Sequence, residues 1–161
     1  MTNKIQITEK DNQILTKTKF YTLSWTWGIL MSLVGAIVCS CILLYGLITK
    51  KNYKLKKCGW CYYIAIGKNW GGVELGMFFL CDDIESISTC WHEHGHGIQN
   101  CYWGLLMPFV ISIPSCIRYW YREFKYHKKG LTPPNTYDSI WFEGEATLLG
   151  RKYRKHIQEG N

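Results

Sequence analysis

The chain has 161 residues, enough for one modest domain and no more. Its net charge is +7, with 8 Trp and 11 Tyr. The lysines flank an apolar run, which fits a membrane surface and argues against nucleic acid as a partner. The 8 Cys are scattered, which argues against a disulfide scaffold and reads as reduced thiols.

Residues 1–22 read as a polar tail, mobile or forming a short helix. Residues 23–48 contain no Asp, Glu, Lys, Arg or His. As a helix this run is about 39 Å long, enough to cross a ~30 Å hydrocarbon core with some tilt. Trp25, Trp27 and Tyr45 lie near its ends, where amphipathic rings anchor. A buried core helix rarely lacks a polar face over this length, and a signal-peptide core is shorter. The run therefore predicts a single transmembrane helix. Lys50, Lys51, Lys54, Lys56 and Lys57 follow it, against Lys10, Lys17 and Lys19 before it. The larger positive flank predicts an N-terminus outside and a C-terminal domain in the cytoplasm. Residues 49–57 read as a basic juxtamembrane linker.

The remaining domain, residues 58–155, is expected to be of the α+β class. Cys58 and Cys61 form a C-x-x-C, a weak zinc or redox signal without a second such pair. Residues 61–66 are aromatic and β-branched and read as a strand. Residues 67–72 are turn material, with Asn69 a possible substrate contact. Residues 73–81 read as a second strand, giving a short antiparallel hairpin. It would either hold an extended substrate at its edge or serve only to pack.

Asp82 or Asp83 is expected to cap the next helix, with Glu85 in its first turn. That helix carries the sequence Cys-Trp-His-Glu-His-Gly-His-Gly-Ile-Gln over residues 90–99. Within it, His92, Glu93 and His96 form an H-E-x-x-H. Residues four apart share a helix face, so both imidazoles can point at one ion, expected to be Zn2+. Glu93 lies about 100° round the helix from His92, beside the ion rather than on it. From there its carboxylate can take a proton from activated water. Gln99 falls on the same face, as a partner of a ligand or of substrate. His94 points away, with a surface or packing role.

Residues 103–117 again lack ionisable groups and include Pro108 and Pro114. A straight helix of that length is roughly 22 Å, short of a full crossing. Arg118, Arg122, Lys125, Lys128 and Lys129 follow, interleaved with aromatic residues, a pattern typical of a headgroup surface. After Pro133 and Pro134, a last helix is expected, capped by Thr136, Asp138 or Ser139 and closed by Gly150. Residues 156–161 read as a loose tail.

A catalytic zinc needs a third protein ligand. Glu143 and Glu145 lie about 200° apart on a helix, so only one can face the metal. Glu143 is preferred because it shares its face with Ile140 and the small Ala146; Glu145 is the fallback. The ligands flank residues 103–117, so that run must dip or pack rather than cross. Tyr137 is a possible oxyanion donor.

The motif of residues 92–99, the run from Gly104 through Pro108 to Ser115, and Trp-Phe-Glu-Gly-Glu-Ala over residues 141–146 resemble small bacterial zincin-type proteins with an H-E-x-G-H-x-x-Q core. The resemblance spans roughly residues 60–150. It implies a gluzincin-like arrangement, with His92, His96 and Glu143 on zinc and Glu93 as base. His94 departs from it, standing where a large apolar or aromatic residue is usual. The resulting expectation is a membrane-anchored zinc metallopeptidase acting on a peptide or protein substrate, with membrane lipid as a further partner. The alternative is a non-catalytic membrane protein whose metal site is structural and which serves as a binding or accessory module. Oligomeric state is left open.

Overall fold

A computed structural model describes residues 14–160. The helices are α1 (Lys17–Trp25), α2 (Ile29–Thr49), α3 (Ile87–Trp103), α4 (Ile113–Lys125) and α5 (Trp141–Gln158). The strands are β1 (Lys56–Cys58), β2 (Cys61–Ala65), β3 (Gly72–Leu75) and β4 (Phe78–Cys81). Most of the expected tail, residues 1–13, lies outside the described residues.

The apolar run of residues 23–48 is not one helix. It breaks after Trp25, where tertiary contacts outweigh hydropathy. The Trp27 indole donates to the Tyr102 carbonyl at 3.2 Å, and Asn100 Nδ2 donates to the Gly28 carbonyl at 3.1 Å. The second piece, α2, has 21 residues, or about 32 Å of helix. Among the described residues it is the one helix long and apolar enough by itself to cross a membrane. One face, carrying Met31, Ser32, Gly35 and Cys39, is buried. The opposite side exposes Ile29, Leu33, Val34 and Ile37. The basic stretch after α2 does not hold the helix apart from the domain, and its last residues, Lys56 and Lys57, already belong to β1.

The four strands form one sheet in the order β1-β2-β4-β3. The expected hairpin between residues 61–66 and 73–81 is absent. Residues 73–81 fold back on themselves at Gly76, whose φ of +72° favours glycine. The result is an antiparallel β3–β4 hairpin, while β2 pairs with β4 in parallel. That leaves β3 on the outer edge. β1 pairs antiparallel with β2 and places Cys58 opposite Cys61 across a tight turn.

The sheet separates two apolar layers, following the alternation of side chains along each strand. Ile64 and Leu80 pack with Cys39 of α2. Cys61, Tyr63, Phe79 and Cys81 pack with Ile98 and Cys101 of α3 and Tyr153 of α5.

Two expected helix caps differ. α3 starts after Ser86, not at Asp82 or Asp83. Asp82 Oδ2 instead accepts from Gly71 N at 3.1 Å, tying the loop before β3 to the end of β4. Glu85 precedes the helix with φ +49° and binds Lys56 and Tyr63. α5 starts after Ile140 without a side-chain cap and runs through Gly150 to Gln158, so residues 156–158 are helical rather than a loose tail.

Between α3 and α4 the chain makes a tight 310 turn at Gly104–Leu106 and a π-helical turn at Pro108–Ser112. The two helical segments meet at a 115° bend. The apolar run of residues 103–117 therefore turns back. It packs Met107 and Ile111 on Met31 and Phe142, and the two segments that carry the expected ligands meet in space.

Candidate metal centre

Two crossing helices build the site. His92 and His96, one turn apart on α3, share a face with ring centroids 4.8 Å apart. α5 lies directly on that helix. A Cβ at Gly95 would stand 1.9 Å from the Ala146 carbonyl oxygen, and one at Gly150 would stand 2.1 Å from that of Trp91. Only bare backbone fits at these two contacts. Gly150 thus serves close approach, not helix termination.

This approach carries Glu143 to the imidazoles. Its Oε2 lies 3.0 Å from His92 Nε2 and 3.2 Å from His96 Nε2. The Glu143 side chain is fully buried. One ligand atom from each of the three residues lies within 4.8 Å of the other two. They are close enough to hold a metal ion.

The surrounding hydrogen bonds test that fit. Gln99 Nε2 donates to the Phe142 carbonyl at 2.9 Å and to Glu145 Oε2 at 2.6 Å. This fixes the amide so that Oε1 accepts, and His96 Nδ1 donates to it at 2.6 Å. The Nε2 lone pair of a neutral His96 then faces a carboxylate oxygen. Two electron-rich atoms 3.2 Å apart need a positive charge between them, either a proton or a metal cation. His92 Nδ1 is held by Thr147 Oγ1 at 2.8 Å, which aims its Nε2 at the same point. Two imidazole nitrogens and one carboxylate suit a divalent transition cation.

Electrostatics agree with this geometry. Burial alone would raise the Glu143 pKa. Hydrogen bonds from His92, His96 and Ser115, with the His96 charge, outweigh it and hold the carboxyl well below the usual range. Burial would depress His92, but the Glu143 bond and the charges of Glu143, Glu93 and Asp138 raise it. Glu93 is different. Burial raises its pKa, only partly opposed by His92 and His96. Among the described residues no group hydrogen-bonds the Glu93 carboxyl.

A cavity of about 200 Å³ opens over the three donors. Glu93, Glu74, Ser112, Tyr119 and Trp120 line it, as do Gly72 and Val73 of edge strand β3. A second, larger cavity of about 490 Å³ shares Trp70, Gly72, His92, Tyr119 and Tyr137 with it and continues past Arg122, Arg151 and Arg154. Tyr137 thus stands where the two join, its ring 6.4 Å from that of His92 and flanked by Arg118 and Arg122.

The structure brings His92, Glu93, His96, Gln99, Tyr137 and Glu143 together. Glu145 lies outside the donor group and holds Gln99 instead. Asn69 is exposed in its loop and lines neither cavity. His94 is not on the surface. It is wholly buried among Phe20, Trp60, Trp91 and Tyr153, with neither ring nitrogen hydrogen-bonded among the described residues, and burial lowers its pKa to about 3. Ser115 joins the site, as does Thr147 from the helix face it shares with Glu143, neither with a role expected from the sequence. Ser115 donates to Glu143 Oε1, its position set by the bend before α4. Thr147 lies one turn beyond Glu143, and only its contact with His92 gives it a role.

Replacing Gln99 by Leu keeps the volume but frees His96 Nδ1. Metal affinity is expected to fall by ~10–100-fold, the usual cost of losing a ligand's hydrogen-bond partner. Competition with a chromogenic chelator reads this directly. An unchanged affinity would remove Gln99 from the site.

No known protein family, curated protein or solved structure matches the chain.

Proposed function

We propose that this chain is a membrane-anchored zinc metallopeptidase. Glu93 is the observation that carries the reading. A purely structural metal site needs its ligands, but not a further buried carboxyl in the wall of the same cavity. Its carboxyl lines the cavity beside the three donors, where a general base would take up a proton and then return it to a leaving amine. The gluzincin-like motif spacing supports the same reading.

His92, His96 and Glu143 would hold the ion. A bound zinc would supply Lewis acidity and a water of lowered pKa. Glu93, in the wall of the same cavity, would accept a proton from water there. The backbone of Gly72 and Val73, on the free edge of the sheet, offers hydrogen bonds to an extended peptide. The Tyr137 hydroxyl, 3.4 Å from Ser115 Oγ at the junction of the cavities, would donate to the developing oxyanion. α2 would serve as the anchor.

Metal content tests the premise. Purified wild-type chain is expected to carry about one zinc. His92→Ala and Glu143→Ala are expected to lose most of it while α2 still retains the protein in membranes. Stoichiometric zinc in both variants would sink the assignment. A metal-loaded protein that cleaves nothing, and whose biological role survives Glu93→Gln, would favour the structural alternative.

A further inference from the structure

α4 presents two sides with different chemistry. Arg118 and Arg122 tie one side inward. The Arg118 guanidinium donates to the carbonyls of Thr136 and Tyr137 and to Ser139 Oγ, and the Arg122 guanidinium donates to the Asn135 carbonyl. The other side carries Ile113, Ile117, Trp120 and Phe124, which fall within about 60° of one another at 100° per residue. All four are exposed, Ile117 at 64% and Phe124 at 55%. Phe109, just before the helix, is 67% exposed. Buried residues of a folded chain do not cover this stripe, and a soluble surface rarely tolerates one this continuous.

We infer that this stripe is a second membrane contact, with α4 lying in the interface of an anionic bilayer. Two observations name lipid as the occupant. The first is continuity. Met107 and Ile111 of the preceding turns pack on Met31 of α2. Exposed Leu105 and Leu106 lie in a turn that contacts α2, whose outer side exposes Ile29, Leu30 and Leu33. The apolar surface therefore runs from the one helix able to cross a membrane into the stripe. The second is charge. Lys125, Lys128 and Lys129 close the end of the stripe, with Lys125 5.4 Å from the Tyr126 ring and Lys128 4.3 Å from that of Phe124. Cations beside aromatic rings at the margin of an apolar stripe match phosphate headgroups over acyl chains. Cys116, Tyr119 and Trp120 of the same helix line the cavity over the metal donors, so the cavity opens at the lipid boundary. Substrate would reach it along the bilayer surface. The lipid contact itself rests on residues 105–129 and α2, not on the hydrolytic reading.

The test uses the full chain in nanodiscs of phosphatidylcholine and phosphatidylglycerol. Nitroxide labels are placed singly at Ile117→Cys and Phe124→Cys, in a background of Cys41→Ser and Cys116→Ser. Reference labels go at Leu33→Cys and Lys155→Cys. Collision with oxygen relative to a water-soluble nickel chelate is expected to be several-fold higher at 117 and 124 than at 155, approaching that at 33. Ratios matching residue 155 would overturn the contact. So would low collision with both reagents accompanied by dipolar broadening, which would mark a second copy of the chain. A variant that fails to fold shows itself by a lost cooperative thermal unfolding transition and is replaced by a label at Ile113→Cys.

Discussion

Glu93→Gln is expected to lower peptide hydrolysis by about 10²–10⁴-fold, the usual contribution of a general base, while leaving metal content at the wild-type level. The amide is nearly the same size as the carboxyl and fills the same buried position in the cavity wall. It cannot take a proton from water. No hydrogen bond holds the Glu93 side chain among the described residues, so the substitution breaks none and should leave stability close to unchanged. A mixture of unstructured peptides, with new N-termini counted after incubation, serves as substrate. Metal content of the same preparations separates the two failures. Lost cleavage with lost metal would indicate damage to the site. Retained cleavage with retained metal would remove Glu93 from the chemistry.

Gly95→Ala is expected to damage the centre without touching a ligand. The added methyl would meet the Ala146 carbonyl at 1.9 Å, and backbone cannot step aside as a flexible side chain can. α5 would have to move off α3, taking Glu143 with it. Overpacking of this kind costs about 1–3 kcal/mol, and for a chain of this length each kcal/mol lowers Tm by about 2–4 °C. The expected result is a Tm lower by ~2–12 °C, from those two ranges, together with weaker metal binding. Thermal unfolding with and without chelator distinguishes the two effects. An unchanged Tm and full metal affinity would mean that the helices do not meet as described.

The ligands were legible because their signal is local. Two histidines four apart report a shared helix face whatever surrounds them. Glu143 was accessible by a weaker route, through the apolar and small neighbours Ile140 and Ala146 that mark the face turned toward another helix. The sheet was less legible. Residues 73–81 read as one strand because their composition is uniformly strand-like, and Gly76 alone marks the fold-back. The parallel pairing of β2 with β4 depends on that turn and has no separate trace in the sequence. The break after Trp25 was hidden for a different reason. Hydropathy counts apolar character, whereas the break is set by bonds from Trp27 and Gly28 to residues about 75 positions away in sequence. Ser115 and Thr147 carry no pattern of their own, because a hydroxyl becomes a site residue only through what it faces.

The π-helical turn at Pro108–Ser112 holds an extra residue relative to regular helix, and so sets the rotation of everything after it. Ser115 and Ile113 lie about 200° apart around α4. With that offset, the hydroxyl reaches Glu143 while the aliphatic side chain faces out. The two directions are coupled through one rigid cylinder. Any roll that withdrew the greasy side from its surroundings would also pull the hydroxyl from the carboxylate, so occupancy outside and order inside rise or fall together.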